Sequence, residues 1–69
     1  MDRNTEVPAE TPDGVIDTFT CAGLALIELV FLNGKLVDSS KVSITNNSVT
    51  FLGVDRPQTG DEVICFGKI

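Results

Sequence analysis

Hydrophobic and polar residues alternate along the second half of this chain. Val42 and Ile44 alternate with serine and threonine, and Val49 and Phe51 do the same after Asn46-Asn47 interrupts the pattern. A period of two places successive side chains on opposite faces of a strand, so each run predicts a half-buried β-strand. The interruption predicts a hairpin that joins the two strands.

Another hairpin is indicated by Asn33-Gly34, which lies between the apolar run 29–32 and the segment Lys35-Leu36-Val37. Asparagine and glycine accept the positive φ values that a two-residue type I′ turn demands. This dipeptide is the strongest local structural signal in the chain, and it predicts a strand on each side.

The first and last strands are predicted at residues 15–21 and 61–68. In the first strand, alternation places Phe19 and Cys21 inward and the neighbouring threonines outward. Residues 24–30 also have helical propensity. We favour a strand from Ile27 onward, because the Asn-Gly turn leaves too little length for a stable helix.

The strand that precedes the Asn-Gly turn is apolar on both sides. Strict alternation places Ile27, Leu29 and Phe31 on one face and Val30 and Leu32 on the other. One of these faces needs a second layer, which is either the N-terminal segment or another subunit. We favour a subunit interface, since so short a chain has little else with which to cover the face.

The N-terminal segment, residues 1–14, contains four acidic residues and two prolines and shows no apolar periodicity. It is expected to be a non-regular arm, which either remains a disordered tail or docks in extended form on a neighbouring subunit through Val7 and Pro8. The sequence therefore predicts an all-β fold in two parts. The extended N-terminal arm spans 1–14, and a small antiparallel β-sandwich or partly open barrel of about six strands spans 15–69.

The composition limits how stable a single copy can be. The chain has 69 residues, with no Trp, no Tyr and four Phe. A chain of this length buries only about 60% of the surface that its unfolded form exposes, so self-association is expected to supply further burial. The residues predicted for that assembly interface are Val7, Pro8, Val30, Leu32 and Leu36.

The formal net charge of −5 disfavours nucleic acid and anionic membrane surfaces as partners. The longest apolar stretch is broken by Glu28 and is too short to span a bilayer. The N-terminus lacks the basic and apolar regions of a signal peptide. A soluble protein made in the cytoplasm is expected.

Candidate chemistry is sparse. The chain contains no His, which removes the usual general base and the commonest metal ligand, and it has no glycine-rich nucleotide motif. Asp61 and Glu62 are neighbours on a predicted strand and should point to opposite faces, while Asp55 and Asp61 offer at most a loose Ca²⁺ site. We therefore expect no catalysis, no cofactor and no metal.

Two cysteines, Cys21 and Cys65, fall on the predicted first and last strands. Reduced cysteines pack as small hydrophobic residues, and this interpretation is favoured because nothing indicates export. The alternative is a disulfide that ties together the two ends of the domain. A metal site built from two thiols without His is the weakest of the three.

The segment 53–60 is predicted to be a long exposed turn that offers a recognition loop through Asp55, Arg56, Pro57 and Gln58. The alternative, which we favour, is that its proline and glycine only shape the return into the last strand.

The order of these motifs resembles a known family. Residues 31–34, FLNG, are followed by VSITNNSVTF at 42–51 and PQTGDEV at 57–63. This order resembles the small β-sandwich repeat in structural proteins of tailed bacteriophages, found in head fibres, capsid decoration proteins, neck proteins and tail-fibre segments. The Pro-Asp-Gly turn and Thr-Phe-Thr triplet within 12–20 resemble the opening strand of that repeat, so the resemblance covers roughly residues 10–68. The chain departs from it at Cys21 and at Phe66-Gly67.

The resemblance implies an accessory structural protein of a tailed-phage virion, assembled in the host cytoplasm and located on the particle. Such a protein would be a homo-oligomer that binds the major capsid protein or another virion protein, at the capsid, the head vertex, the neck or the tail. A host-surface or carbohydrate-binding module is the alternative, through the 53–60 loop. The lack of Trp and Tyr weighs against it, because sugar sites usually stack rings on aromatic side chains.

Overall fold

The computed structural model describes residues 2–53 and 56–69. These residues form a small all-β protein with one 3₁₀ helix at Ser39–Lys41. The strands are β1 (Arg3–Glu6), β2 (Thr18–Thr20), β3 (Leu26–Leu32), β4 (Lys35–Leu36), β5 (Val42–Thr45), β6 (Ser48–Phe51) and β7 (Val63–Lys68).

The strands form two sheets, and every pairing between them is antiparallel. One sheet has four strands in the order β1-β7-β3-β4, and the other has three in the order β2-β6-β5. The apolar faces of the two sheets pack against each other, which is the arrangement of a β-sandwich. The predicted all-β sandwich is confirmed, with seven strands among the described residues.

Both predicted hairpins are present. Asn33 and Gly34 have φ values of 53° and 83°, the left-handed conformation that a type I′ turn requires, and they join β3 to β4. Asn46 has a φ of 52° and begins the two-residue turn between β5 and β6. Asparagine tolerates this conformation better than most residues because its short amide can hydrogen-bond locally.

The core lies between the sheets. Phe19 on β2 and Phe51 on β6 pack edge to face, with ring centroids 5.7 Å apart and planes at 87°. These rings belong to a cluster of buried apolar residues that comprises Phe19, Cys21, Leu24, Ile27, Val30, Val42, Val49, Phe51, Val63 and Cys65. The two aromatic side chains, the branched aliphatic residues and the two cysteines thus supply the interior.

A β-bulge in β3 reverses which side chains face the core. Ile27 pairs with Gly67 and Leu29 with Phe66, so Glu28 is an extra residue in the β3–β7 ladder. Ile27 and Val30 are consequently both buried, whereas the side chain of Leu29 is 40% exposed. Strict alternation along β3, which placed Ile27 on the same face as Leu29, is therefore wrong.

Gly67 makes the bulge possible. A Cβ atom at this position would overlap the carbonyl oxygen of Leu26 and lie within 2.9 Å of the Cα atom of Ile27. The backbones of β3 and β7 therefore approach more closely here than any side chain on residue 67 would permit.

The N-terminal segment is part of the sandwich and not a separate, non-regular arm. Arg3–Glu6 forms the edge strand β1, which pairs along its whole length with β7. Beyond it, the amide of Ala9 donates to the carbonyl of Thr20 (3.1 Å), and the amide of Thr20 donates to the Glu10 carboxylate (2.7 Å). The segment is extended as predicted, but it pairs with β7 of the same chain at the edge of the four-stranded sheet.

Candidate assembly surface

The four-stranded sheet presents an apolar surface on the side away from the core. Along β7, Val63 and Cys65 are buried, so the alternate residues Ile64 and Phe66 point outward. We call this surface the outer face. Its apolar members are Leu26, Leu29 and Phe31 on β3, Leu36 on β4, and Ile64 and Phe66 on β7.

These side chains are neighbours across the sheet. Phe31 pairs with Ile64 on one side and with Leu36 on the other, which makes one row of three apolar residues. Leu29 and Phe66 pair in the next row. Paired residues in antiparallel strands have Cβ atoms about 4.5–5.5 Å apart, so the two rows form one continuous patch.

The patch is open to solvent. The side chains of Leu36, Leu29 and Leu26 are 59%, 40% and 37% exposed, respectively. The N-terminal segment, one candidate for covering the strand, lies beside the patch as strand β1. Large apolar residues thus line the solvent-facing side of the four-stranded sheet.

Charged groups border one end of the outer face. The guanidinium of Arg3 spans β7 to reach Glu28, with its Nε 2.6 Å from one carboxylate oxygen and its Nη2 3.4 Å from the other. This hydrogen bond lowers the pKa of the Glu28 carboxyl and raises that of Arg3, so both groups are charged at neutral pH. Lys68, paired with Arg3 on one side and Leu26 on the other, adds a second cation.

The apolar surface continues around the edge of the sheet. Leu29 and Leu36 also line a groove of about 490 Å³ that opens between β4 and β5, together with Val37 and Ile44. This groove exists because β4 is only two residues long and leaves the adjoining side of the sandwich open. The exposed apolar region is consequently larger than the outer face alone.

The predicted interface residues fall in different places. Leu36 lies on the outer face, and Val7 is 66% exposed just after β1. Leu32 is partly buried against the core, while Val30 is 2% exposed and Pro8 is buried, so a partner cannot reach these last two in the folded monomer. The bulge at Glu28 is the reason that Val30 faces inward and Leu29 outward.

The predicted recognition loop makes contacts within the molecule. Arg56 Nη1 donates to the carbonyl of Val15 (3.3 Å), Gln58 Nε2 donates to the carbonyl of Arg56 (2.8 Å), and Pro57 is fully buried. Asp55 lies outside the described residues. These contacts fasten the loop to the start of the sandwich, and recognition by this loop stays a prediction.

Asp61 has a structural function. Its carboxylate accepts hydrogen bonds from the amide of Gln58 (2.8 Å) and from Asn33 Nδ2 (3.1 Å), which joins the 53–60 loop to the β3–β4 turn. These hydrogen bonds lower the pKa of Asp61. Among residues 2–53 and 56–69, no cluster of three or more acidic or cysteine side chains is arranged to hold a metal ion.

Comparison of the chain with models of protein families gave no match, and comparisons with characterised proteins and with solved structures gave none either. In the described part of the chain, no helix has the length and apolar character needed to cross a membrane.

Proposed function

We propose that this chain is an accessory structural protein of a tailed-phage virion, an oligomeric β-module that binds through the outer face of its four-stranded sheet. The observation that carries the proposal is the continuous patch formed by Leu29, Phe31, Leu36, Ile64 and Phe66. The order of turns and strands, which resembles the phage β-sandwich repeat, supports the assignment to a virion.

The outer face has the character of a binding surface. Soluble monomers seldom leave large apolar side chains in one contiguous patch, and such patches mark interaction sites. Each Å² of apolar surface removed from water stabilises an interface by roughly 25 cal/mol, and a sheet loses little conformational entropy when it is covered. The rings of Phe31 and Phe66 are partly exposed, and phenylalanine is among the residue types enriched in protein–protein interfaces.

A second copy of the chain is the partner that fits this surface. The charged end of the outer face has a net charge of +1, because it carries two cations, Arg3 and Lys68, and the carboxylate of Glu28. The whole chain, by contrast, has a net charge of −5. Two such faces related by a two-fold axis can place the cations of one copy near acidic groups of the other. Apolar contact at this surface also avoids the repulsion that two acidic chains experience elsewhere.

Binding to the particle would use a separate surface. Because the outer face is occupied in the oligomer, contact with the major capsid protein or another virion protein falls to the edges of the sheets and the exposed loops. Several weak contacts then act together, since each copy in the oligomer raises the effective concentration of the others at the particle surface.

The test is to determine the copy number of the chain in purified particles of the phage that encodes it, by quantitative mass spectrometry relative to the major capsid protein. A ratio near one, or one copy per few capsid subunits, indicates capsid decoration. A handful to a few tens of copies indicates a vertex fibre, the neck or the tail. Absence of the chain from particles would contradict the proposal.

A further inference from the structure

The two cysteines come from different sheets and lie in one region of the core. Cys21 directly follows β2, and Cys65 lies in the middle of β7. Both are free thiols, and both have 0% of their surface exposed. In sequence they are separated by most of the sandwich, so a covalent bond between them would enclose nearly the whole fold.

One residue of β1 borders both thiols. Cys21 Sγ lies 3.8 Å from the carbonyl oxygen of Glu6, to which it donates. Glu6 is also the direct partner of Cys65 in the β1–β7 ladder, where paired Cα atoms lie about 4.5–5.5 Å apart. The last residue of β1 thus holds the two cysteines close to each other at the edge of the core.

The environment keeps this pair reduced while it is covered. Burial raises the pKa of both thiols, and each thiol also influences the pKa of the other. The thiolate is the nucleophile in disulfide exchange, so a buried, protonated thiol reacts slowly. Reaction requires that the segment covering the pair first moves away.

We propose that Cys21 and Cys65 form a reversible disulfide under oxidising conditions, and that β1 controls access to their sulfur atoms. β1 is an edge strand with an exposed outer margin, and edge strands open locally at a lower free energy than central strands. Its release from β7 removes the backbone of Glu6 from Cys21. The side chain of Glu6 opposes this release, because its carboxylate accepts a hydrogen bond from the amide of Gly23 (3.0 Å).

The oxidant is a low-molecular-weight disulfide, for which oxidised glutathione is the probe. One cysteine thiolate attacks a sulfur of oxidised glutathione, so that a mixed disulfide forms and one glutathione thiolate leaves. The second cysteine thiolate attacks the protein sulfur of the mixed disulfide, and the second glutathione thiolate leaves. The protein loses two protons and two electrons, and the oxidant becomes two molecules of reduced glutathione.

The disulfide would bridge the two sheets and fix β7 against the end of β2. A cross-link that closes so long a segment, residues 21–65, restricts the unfolded chain and raises the melting temperature of a domain of this size by about 10 °C or more. The oxidised form would also resist loss of β1, because the core beneath that strand could no longer open.

The full-length chain is incubated with oxidised glutathione, and its intact mass is then measured. We expect the mass to fall by that of two hydrogen atoms, and tryptic digestion to give linked peptides that contain Cys21 and Cys65. Cys21→Ala and Cys65→Ala should each gain one glutathione instead. Three outcomes for the wild-type chain would overturn the proposal. The product could carry two glutathiones, or its disulfides could link only different chains. The folded chain could also stay reduced under conditions in which the urea-unfolded chain oxidises.

Control by β1 is tested by the rate of the same reaction. Arg3→Ala should oxidise several-fold faster than the wild-type chain, because β1 has lost its ion pair with Glu28 while Glu6, whose charge raises the pKa of both thiols, is retained. The matched control is Ile44→Ala, which lies on β5 of the other sheet and destabilises the sandwich without touching β1. The two variants are compared at the same loss of melting temperature. If both then oxidise faster than the wild-type chain by the same factor, global unfolding and not release of β1 exposes the thiols.

Discussion

Leu29 and Phe66 lie directly opposite each other on the outer face, across the ladder between β3 and β7. Phe66 faces outward through the regular alternation of β7, whereas Leu29 does so because the bulge at Glu28 shifts the alternation of β3 and places Val30 with Ile27 in the core. The same irregularity therefore completes the core and creates the apolar surface on which the proposed assembly depends.

Substitutions at adjacent positions of β3 should destabilise the monomer to very different extents. Val30→Ala removes two methyl groups from a site that is only 2% exposed and should lower the free energy of unfolding by on the order of 2 kcal/mol. Leu29→Ala, at a side chain that is 40% exposed, should cost less than about 0.5 kcal/mol in the monomer. Urea denaturation at protein concentrations low enough to keep the chain monomeric measures both. A larger cost for Leu29→Ala than for Val30→Ala would mean that the bulge is absent in solution.

Gly67→Ala should destabilise the fold although φ at this residue lies outside the left-handed region. An alanine at such a position ordinarily stabilises a protein by about 0.4–1 kcal/mol, because it restricts the unfolded chain. Here its Cβ would overlap the backbone of β3, which cannot move aside without breaking the ladder, so we expect a loss of about 2 kcal/mol or more.

The control for this variant is Gly34→Ala, where a Cβ meets no neighbour and only the positive φ of 83° opposes it. Its cost should be about 1 kcal/mol. Thermal denaturation followed by circular dichroism compares the two variants, and a Gly67→Ala protein as stable as the wild type would be incompatible with the close approach of β3 and β7.

Stability should fall as the solution becomes acidic. Backbone amides that donate to Asp13, Asp38 and Asp61 lower the pKa of each carboxyl, and the hydrogen bond from Arg3 lowers that of Glu28. A carboxyl with a lowered pKa in the folded state contributes stability that is complete above its unfolded pKa of about 4 and is lost as the pH drops through the folded value. The melting temperature should therefore be nearly constant between about pH 5 and pH 8 and decline below pH 4.

Asp61→Asn isolates one contribution to this acid sensitivity. The amide retains the shape of the side chain but cannot ionise, so the variant should be less stable at pH 7 and show a shallower decline below pH 4. Asp17→Asn is the matched control, since its carboxylate accepts only from the adjacent Thr18 hydroxyl among side-chain donors. If both variants follow the wild-type profile, the hydrogen bonds to Asp61 do not contribute to stability.

The turns could be predicted from the sequence because their determinants are local. Asn33-Gly34 and Asn46 adopt the left-handed conformations that these residue types permit, and the segments on either side of each turn become strands. Phe19 and Cys21 also face inward as alternation predicts, because β2 is short and regular. In each case the neighbouring residues alone decide the conformation.

The bulge and β1 could not be predicted because their determinants are distant in the sequence. The β3 sequence is apolar on both faces, so the position of the extra residue is decided by Gly67 on the partner strand. Arg3–Glu6 has no apolar periodicity, and its strand conformation depends on pairing with β7, which is distant in the sequence. The outer face depends on the bulge and on the position of β1, so it could be recognised only once the pairing of the strands was known.

Assembly through the outer face is tested most directly by sedimentation equilibrium, which compares the mass in solution of Leu29→Asp with that of Leu52→Asp. Both variants add one negative charge at an exposed leucine, but only Leu29 lies on the outer face, since Leu52 follows β6 in the other sheet. We predict that the wild-type chain and Leu52→Asp form the same oligomer, while Leu29→Asp is a monomer with unchanged β-sheet circular dichroism. A Leu29→Asp protein that keeps the wild-type oligomeric mass, or a wild-type chain that is monomeric at high concentration, would contradict assembly through the outer face.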